Sequence, residues 1–392
     1  MIKQFSFTGA KKIIFGSGSF DTLGEHIKEL KGARPMIVLD RNLAATGFRS
    51  KISALLEKAK YECTFFDKVE AEPPLELADE GAAVALEGQC DVVVGVGGGS
   101  AMDVAKAIAV LSANRGEAVD YFGLNNVPGP GLPTIMVPTT AGTGSEVTFT
   151  AVFVRRNLEK KEGMNSPYLY PDLAILDPLL TVTLPPYTTA TTGIDALCHA
   201  IESYTSINAS PMSELFSLEA IRLIAFNLKT SVHDGSNVPA REQMLLGSLY
   251  AGLGLANAGV TAVHSLSYPL GGKYAVPHGL ANTVMLPSVL MFNLPAAMEK
   301  FAVMARAMGK AVDNLSLPEA ASLTVEAVET LIKNSGISAT LKDLNVPERD
   351  FPELAKAAMT VTRPLENNPR KVTIEDAVEI YKQACVTGLY AK

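Results

Sequence analysis

The 392-residue sequence predicts an α/β domain with a parallel sheet over residues 1–183, followed by an all-α domain over residues 184–392. Three observations predict this division. In the first half, short apolar runs alternate with amphipathic stretches, the pattern of strands covered on both faces by helices. In the second half, apolar residues recur at three- and four-residue spacing, and strand-like alternation is nearly absent. Between the halves, Leu184-Pro185-Pro186 is a natural break, because proline fixes φ and removes a backbone donor.

Taken in order, Pro35–Asp40 is an apolar strand and Phe48–Ala59 a periodic helix. Glu62–Phe66 is strand-like, and a helix follows around Leu75–Leu86. Asp91–Val96 is a buried strand that runs into a helix over Ser100–Leu111, and Thr134–Pro138 is a further buried strand. Beyond the proline pair, helical periodicity covers 188–206, 211–229, 239–258, 261–273, 296–311, 317–335 and 373–387. Neither an internal repeat nor a low-complexity tract interrupts the chain.

Composition narrows the class. Hydrophobic residues make up 47% and charged residues 19%, which fits a well-buried globular protein without a disordered tail. The net charge of −7, with no Lys/Arg cluster, argues against nucleic acid as a partner. Cys63, Cys90, Cys198 and Cys385 show no CxxC spacing, as expected of reduced, mostly buried thiols in a cytoplasmic protein. The N-terminal stretch lacks the apolar core of a signal peptide, and no run of about 20 apolar residues suggests a membrane partner.

Two loops carry nucleotide-binding character. Residues 92–100 form a buried strand entering Gly97-Gly98-Gly99-Ser100, with a helix behind it. Glycine permits close backbone approach, and the free N–H groups at a helix start can bind phosphate oxygens. Asp103 is placed in the first turn, to cap the helix or contact a cofactor. The run departs from GxGxxG, since position 100 is serine and the loop lies far from the first strand. A second loop, Pro138 to Thr148, collects hydroxyls and glycines, including Thr139, Thr140 and Thr143, a composition suited to a polyphosphate. Asp40 closes the second expected strand, where a carboxylate can accept from both adenosine ribose hydroxyls and repel a 2′-phosphate. That predicts NAD(H) over NADP(H), with a simple helix cap as the alternative.

The sequence contains five histidines, and three of them lie in two short elements. Asp195-x3-His199 places a carboxylate and an imidazole on one helical face. His264 and His278, the latter within Pro277-His278-Gly279, add two further imidazoles. Four nitrogen and oxygen ligands without sulfur suit Fe2+, Zn2+ or another divalent first-row metal better than calcium or magnesium. Each element alone is more often a hydrogen-bonded core feature than a metal ligand. Glu202 shares the face of Asp195 and His199 and could orient a ligand, although a plain surface or core salt bridge is its favoured role.

Together these segments resemble the iron-containing (group III) alcohol dehydrogenases. The resemblance runs in order through Phe15-Gly16-Ser17-Gly18, Gly97 to Lys106, Pro138 to Thr148, Asp177-Pro178 and Gly193 to Tyr204. It continues through Asn257-Ala258-Gly259, His264 to Gly272, Pro277-His278-Gly279 and Asn367 to Arg370. It implies the dehydroquinate synthase-like, iron-containing alcohol dehydrogenase fold, with an N-terminal dinucleotide-binding domain and a helical metal-binding domain. By position it implies Asp195, His199, His264 and His278 as metal ligands and Gly97–Ser100 as the pyrophosphate run, with Asp103 nearby. It further implies Thr139, Thr140, Thr143 and Lys161 as cofactor contacts, Asp40 as the ribose acid, and a homodimer. Many members carry a histidine four residues after the third ligand; here that position is Tyr268, a candidate proton relay or a core residue.

The expected function is NAD-dependent, metal-assisted interconversion of a small primary alcohol or diol with its aldehyde. A hydroxyacid–oxoacid transhydrogenase of the same family is the alternative, and a non-catalytic nucleotide- or metal-binding protein is the remote one.

Overall fold

A computed structural model describes residues 4–155 and 160–386. The described residues fall into two compact units, Gly9–Val182 and Thr183 onward, the latter joined by the chain start up to Thr8. Thr8 belongs there because its N–H donates to Asn257 Oδ1 at 2.7 Å and its carbonyl accepts from Asn257 Nδ2 at 2.8 Å.

The first unit holds strands β1 (Lys12–Phe15), β2 (Pro35–Asp40), β3 (Thr64–Val69), β4 (Val92–Gly97), β5 (Gly123–Leu124), β6 (Thr134–Pro138), β7 (Thr150–Arg155), β8 (Lys160–Asn165) and β9 (Leu173–Leu176). Its α-helices are α1 (Leu23–Glu29), α2 (Arg41–Leu43), α3 (Arg49–Lys58), α4 (Glu76–Glu87) and α5 (Gly99–Ala113). Six strands form one parallel sheet in the order β1-β9-β6-β4-β2-β3. The apolar runs are continuous because both faces are covered. On one face Met36, Val38, Val93 and Met136 pack with Met102, Ala105 and Ile108 of α5. On the other, Ile37, Val94, Val96 and Val137 pack with Leu23, Ile27, Ile52 and Leu56. The sequence does not announce the small second sheet, β5-β8-β7, in which β7 and β8 pair antiparallel. β5 has two residues, and β8, KKEGMN, lacks a clean alternation.

The second unit is helical: α6 (Pro186–Thr205), α7 (Pro211–His233), α8 (Val238–Ala258), α9 (Ala262–Tyr274), α10 (His278–Asn293), α11 (Met298–Ala307), α12 (Leu317–Asn334), α13 (Phe351–Met359), α14 (Thr362–Asn367) and α15 (Ile374–Gln383). α6 begins with Pro186 at its first position, where the missing N–H costs no helical hydrogen bond. From Gly193 to Thr205 every residue of α6 is buried, so this is a central helix enclosed by its neighbours. α10 lies outside the periodic stretches expected from sequence. It is apolar almost all round and contains Pro287, so no amphipathic stripe marks it. The stretch His278–Ala296 has the length and composition of a membrane span, but two-thirds of its apolar window, 67%, is buried inside this unit.

Candidate metal centre and dinucleotide loops

α6 brings Asp195 and His199 to one face, one turn apart, with both side chains buried. α9 contributes His264, which is 2% exposed, and α10 begins with His278. Gly279 makes the approach of α10 feasible: a Cβ there would lie 2.8 Å from the Thr191 carbonyl oxygen of α6. One ligand atom from each of Asp195, His199, His264 and His278 falls within a cluster 4.8 Å across. His264 Nε2 lies 3.1 Å from His199 Nε2, and Asp195 Oδ1 lies 3.8 Å from His278 Nε2 and 4.0 Å from His199 Nε2. Donors about 2.1 Å from a common tetrahedral centre sit about 3.4 Å apart, so this set could hold a divalent ion. Three imidazoles and a carboxylate also match first-row metal chemistry.

The carboxylate is prepared for charge. Burial works against ionisation of Asp195, but the imidazoles of His199, His278 and His264 and the Asn282 amide outweigh it and hold the carboxyl below the ordinary aspartate value. Asn282, one turn after His278 on α10, donates Nδ2 to Asp195 Oδ1 at 2.7 Å. That nitrogen also lies 3.2 Å from His264 Nε2 and 3.2 Å from His278 Nε2, while Asn282 Oδ1 is buried with no hydrogen-bond partner. Sequence reasoning passed over Asn282; its spacing of four from His278 was the available signal.

Glu202 makes a core ion pair of the kind expected and also touches a ligand, His264. It is buried at 1% exposure, and its carboxylate pairs with His264 in the core while also taking backbone donors. Its Oε2 meets His264 Nδ1, and its Oε1 accepts from Thr261 N, Thr261 Oγ1 and Val263 N, each at 2.9 Å. A carboxylate thus caps the start of α9, where the backbone N–H groups have no helical partner. Burial raises its pKa, but His264 and the Thr261 donors outweigh this and leave Glu202 below the ordinary glutamate value. Tyr268, one turn after His264, places its ring centroid 6.1 Å from that of His264 and 5.9 Å from that of His278.

In the α/β unit, β4 leads through Gly97 and Gly98 into α5. Gly97 has φ +151°, and a Cβ there would lie 2.8 Å from Ala101 Cβ, so the turn requires glycine. α5 starts at Gly99 without a side-chain cap. The second loop lies against the first: Thr139 N donates to Gly97 O at 2.9 Å, and a Cβ on Gly99 would fall 2.9 Å from Thr143 Cγ2. Thr140 Oγ1 is buried without a partner, and a Cβ on Gly98 would lie 3.7 Å from it. Uncapped N–H groups, buried hydroxyls and the room left by absent Cβ atoms fit a pyrophosphate.

Asp103 does not cap the helix; it opens the second turn of α5. Its Oδ1 accepts from Ser145 Oγ at 2.6 Å and its Oδ2 from Val152 N at 2.9 Å, bracing the second loop. Lys106, 1% exposed, donates to Ser145 Oγ at 2.8 Å and to Thr150 O at 3.0 Å. Neither Lys106 nor Ser145 was singled out from sequence. Asp40, expected either to bind ribose or to cap a helix, does cap α2: its Oδ1 accepts from Asn42 N at 2.8 Å and Leu43 N at 3.2 Å. It also borders the glycine loop, since a Cβ on Gly97 would lie 3.4 Å from Asp40 Cβ. Lys161, on β8, pairs with Glu72 at 2.7 Å.

Comparison with known proteins places this geometry. The family model "Iron-containing alcohol dehydrogenase" matches residues 10–178, and "Fe-containing alcohol dehydrogenase family, C-terminal" matches residues 189–385. The chain is 40% identical to long-chain-alcohol dehydrogenase 1 of Geobacillus thermodenitrificans, over 94% of each chain. It is 36% identical to the NAD-dependent methanol dehydrogenase of Bacillus methanolicus, over 95% of this chain and 97% of the relative. The crystal structure of a 1,3-propanediol oxidoreductase superposes with a TM-score of 0.95 at 38% identity, covering 97% of this chain and 100% of that one. Two family models that cover both units, relatives aligned almost end to end and the same fold lead to one conclusion: this chain belongs to the iron-containing alcohol dehydrogenase family.

Proposed function

We propose that the chain interconverts a small primary alcohol or diol and its aldehyde with NAD(H), using a divalent metal held by Asp195, His199, His264 and His278. Fe2+ is the favoured ion, and Zn2+ also fits the donor set. The observation that carries the proposal is the convergence of those four ligand atoms within 4.8 Å from three different helices. An ion bound there supplies Lewis acidity toward the substrate oxygen, and a nicotinamide supplies the hydride acceptor or donor.

This chain's residues do the rest. The turn into α5 at Gly97–Ser100 and the hydroxyls of Thr139, Thr140 and Thr143 hold the pyrophosphate, with Asp103 fixing the second loop through Ser145. Lys161 adds a cofactor contact from β8. Asp40 accepts from the adenosine ribose and disfavours a 2′-phosphate, which selects NAD(H). Tyr268 passes the proton of the substrate hydroxyl; its place among the imidazoles supports that role. The proposal extends to a homodimer on the resemblance alone, and to a cytoplasmic protein on its scattered, unpaired cysteines.

A spectrophotometric panel of aldehydes with NADH, run on iron-reconstituted protein, tests the proposal. Metal-dependent NADH oxidation that is lost in His264→Ala is expected. Absence of turnover across the panel with iron bound would refute it. Turnover of a 4-hydroxyacid with 2-oxoglutarate, without added NAD, would favour hydroxyacid–oxoacid transfer instead.

A further inference from the structure

We propose that Glu202 is the positioning residue of the metal centre, holding His264 in the tautomer whose Nε2 carries a lone pair. The proposal rests on the four-ligand reading above and deepens it. A histidine can ligate through Nε2 only when that nitrogen is unprotonated, and the partner of Nδ1 decides this. Here the partner is a carboxylate, which only accepts. The proton therefore sits on His264 Nδ1, and the lone pair is carried by Nε2, which faces His199 Nε2 at 3.1 Å and Asn282 Nδ2 at 3.2 Å.

The carboxylate is itself held in one orientation. Thr261 N, Thr261 Oγ1 and Val263 N converge on Oε1, which leaves Oε2 for His264, with Cys198 Sγ at 3.5 Å from it. One side chain of α6 thus fixes both the start of α9 and the ring that α9 carries.

This arrangement makes the isosteric substitution the damaging one. In Glu202→Gln the amide oxygen must stay with the Thr261 and Val263 donors, so the NH2 group meets His264 Nδ1. His264 then accepts at Nδ1, carries its proton on Nε2 and loses the metal-facing lone pair. Glu202→Asp shortens the side chain but keeps an acceptor on Nδ1. A packing role would rank the two variants the other way, because glutamine preserves the shape.

The experiment titrates Co2+ into wild-type, E202D and E202Q proteins by chelator competition, following the cobalt absorption bands. Far-UV circular dichroism of the metal-free proteins confirms folding. Affinity should fall by about 10- to 100-fold in E202Q and by less in E202D, the size usual for loss of such a partner. E202Q binding within twofold of wild type, or E202D binding worse than E202Q, would overturn the proposal. If E202Q does not fold, 15N shifts of His264 in metal-free wild-type protein decide: a proton on Nδ1 supports the proposal and one on Nε2 overturns it. Wild-type protein that binds no Co2+ would overturn the metal reading itself, and with it this proposal.

Discussion

Replacing Gly279 with alanine tests how closely α10 must approach α6 to deliver His278. The added Cβ would stand 2.8 Å from Thr191 O and 3.2 Å from Thr191 C, both backbone atoms that cannot turn aside. An ordinary contact begins near 3.4 Å, so the start of α10 must retreat by about 0.6 Å. Overpacking of this kind costs about 1–3 kcal/mol, and the gain of alanine over glycine in a helix returns about 0.5–1 kcal/mol. A net loss of up to about 2.5 kcal/mol is expected in urea unfolding of the metal-free protein. His278, the adjacent residue, moves with the helix, whereas ligand distances tolerate only about 0.2 Å. Co2+ affinity by chelator competition should therefore fall about tenfold, equivalent to about 1.4 kcal/mol. Unchanged stability together with unchanged affinity would refute the claim that this close contact places the ligand.

Three further outcomes are expected. Burial pushes Glu146, whose Oε1 has no partner, up to about 7 from 4.5. The native state then holds an extra proton between those values, so its contribution to stability is present below pH 4.5 and lost as pH rises through 7. Relative to wild type, Glu146→Gln should gain up to about 3 kcal/mol between pH 4.5 and 8 in urea unfolding, and a difference independent of pH would contradict this. Burial pushes the neighbouring Lys106 down to about 8, so its titration falls at the upper edge of that range. In Asp40→Gly the ratio of kcat/KM for NADPH to that for NADH should rise at least about tenfold, with a capping loss of only about a few tenths of a kcal/mol; an unchanged ratio would remove Asp40 from cofactor selection. Added metal at about 100 times its Kd should stabilise the wild-type protein by about 2.7 kcal/mol and leave His199→Ala unmoved. A Tm indifferent to metal in the wild type would count against the centre.

Local spacing made part of the site legible. Asp195 and His199 are four apart on a helix, a relation that sequence expresses directly. Gly97 to Ser100 follows a continuous apolar strand, so its place at a strand end was equally plain. Asn282 and Lys106 were harder, because their value lies in partners far along the chain: Asp195 is 87 residues from Asn282, and Ser145 is 39 from Lys106. α10 escaped the periodic reading because a helix buried on all sides shows no stripe. The small sheet escaped because strands this short carry little alternation.

The sequence by itself determined the class: a parallel α/β half, a helical half, two phosphate-suited loops and a ligand set of nitrogen and oxygen. Those properties follow from periodicity and residue chemistry, which are local. Only the tertiary structure decided which groups act on which. Glu202 and Thr261 lie 59 residues apart, yet one oxygen of the first caps the helix that the second begins. Asp40 caps its own helix while bordering Gly97 on the adjacent strand. Long-range packing sets such pairings, and no spacing along the chain encodes them.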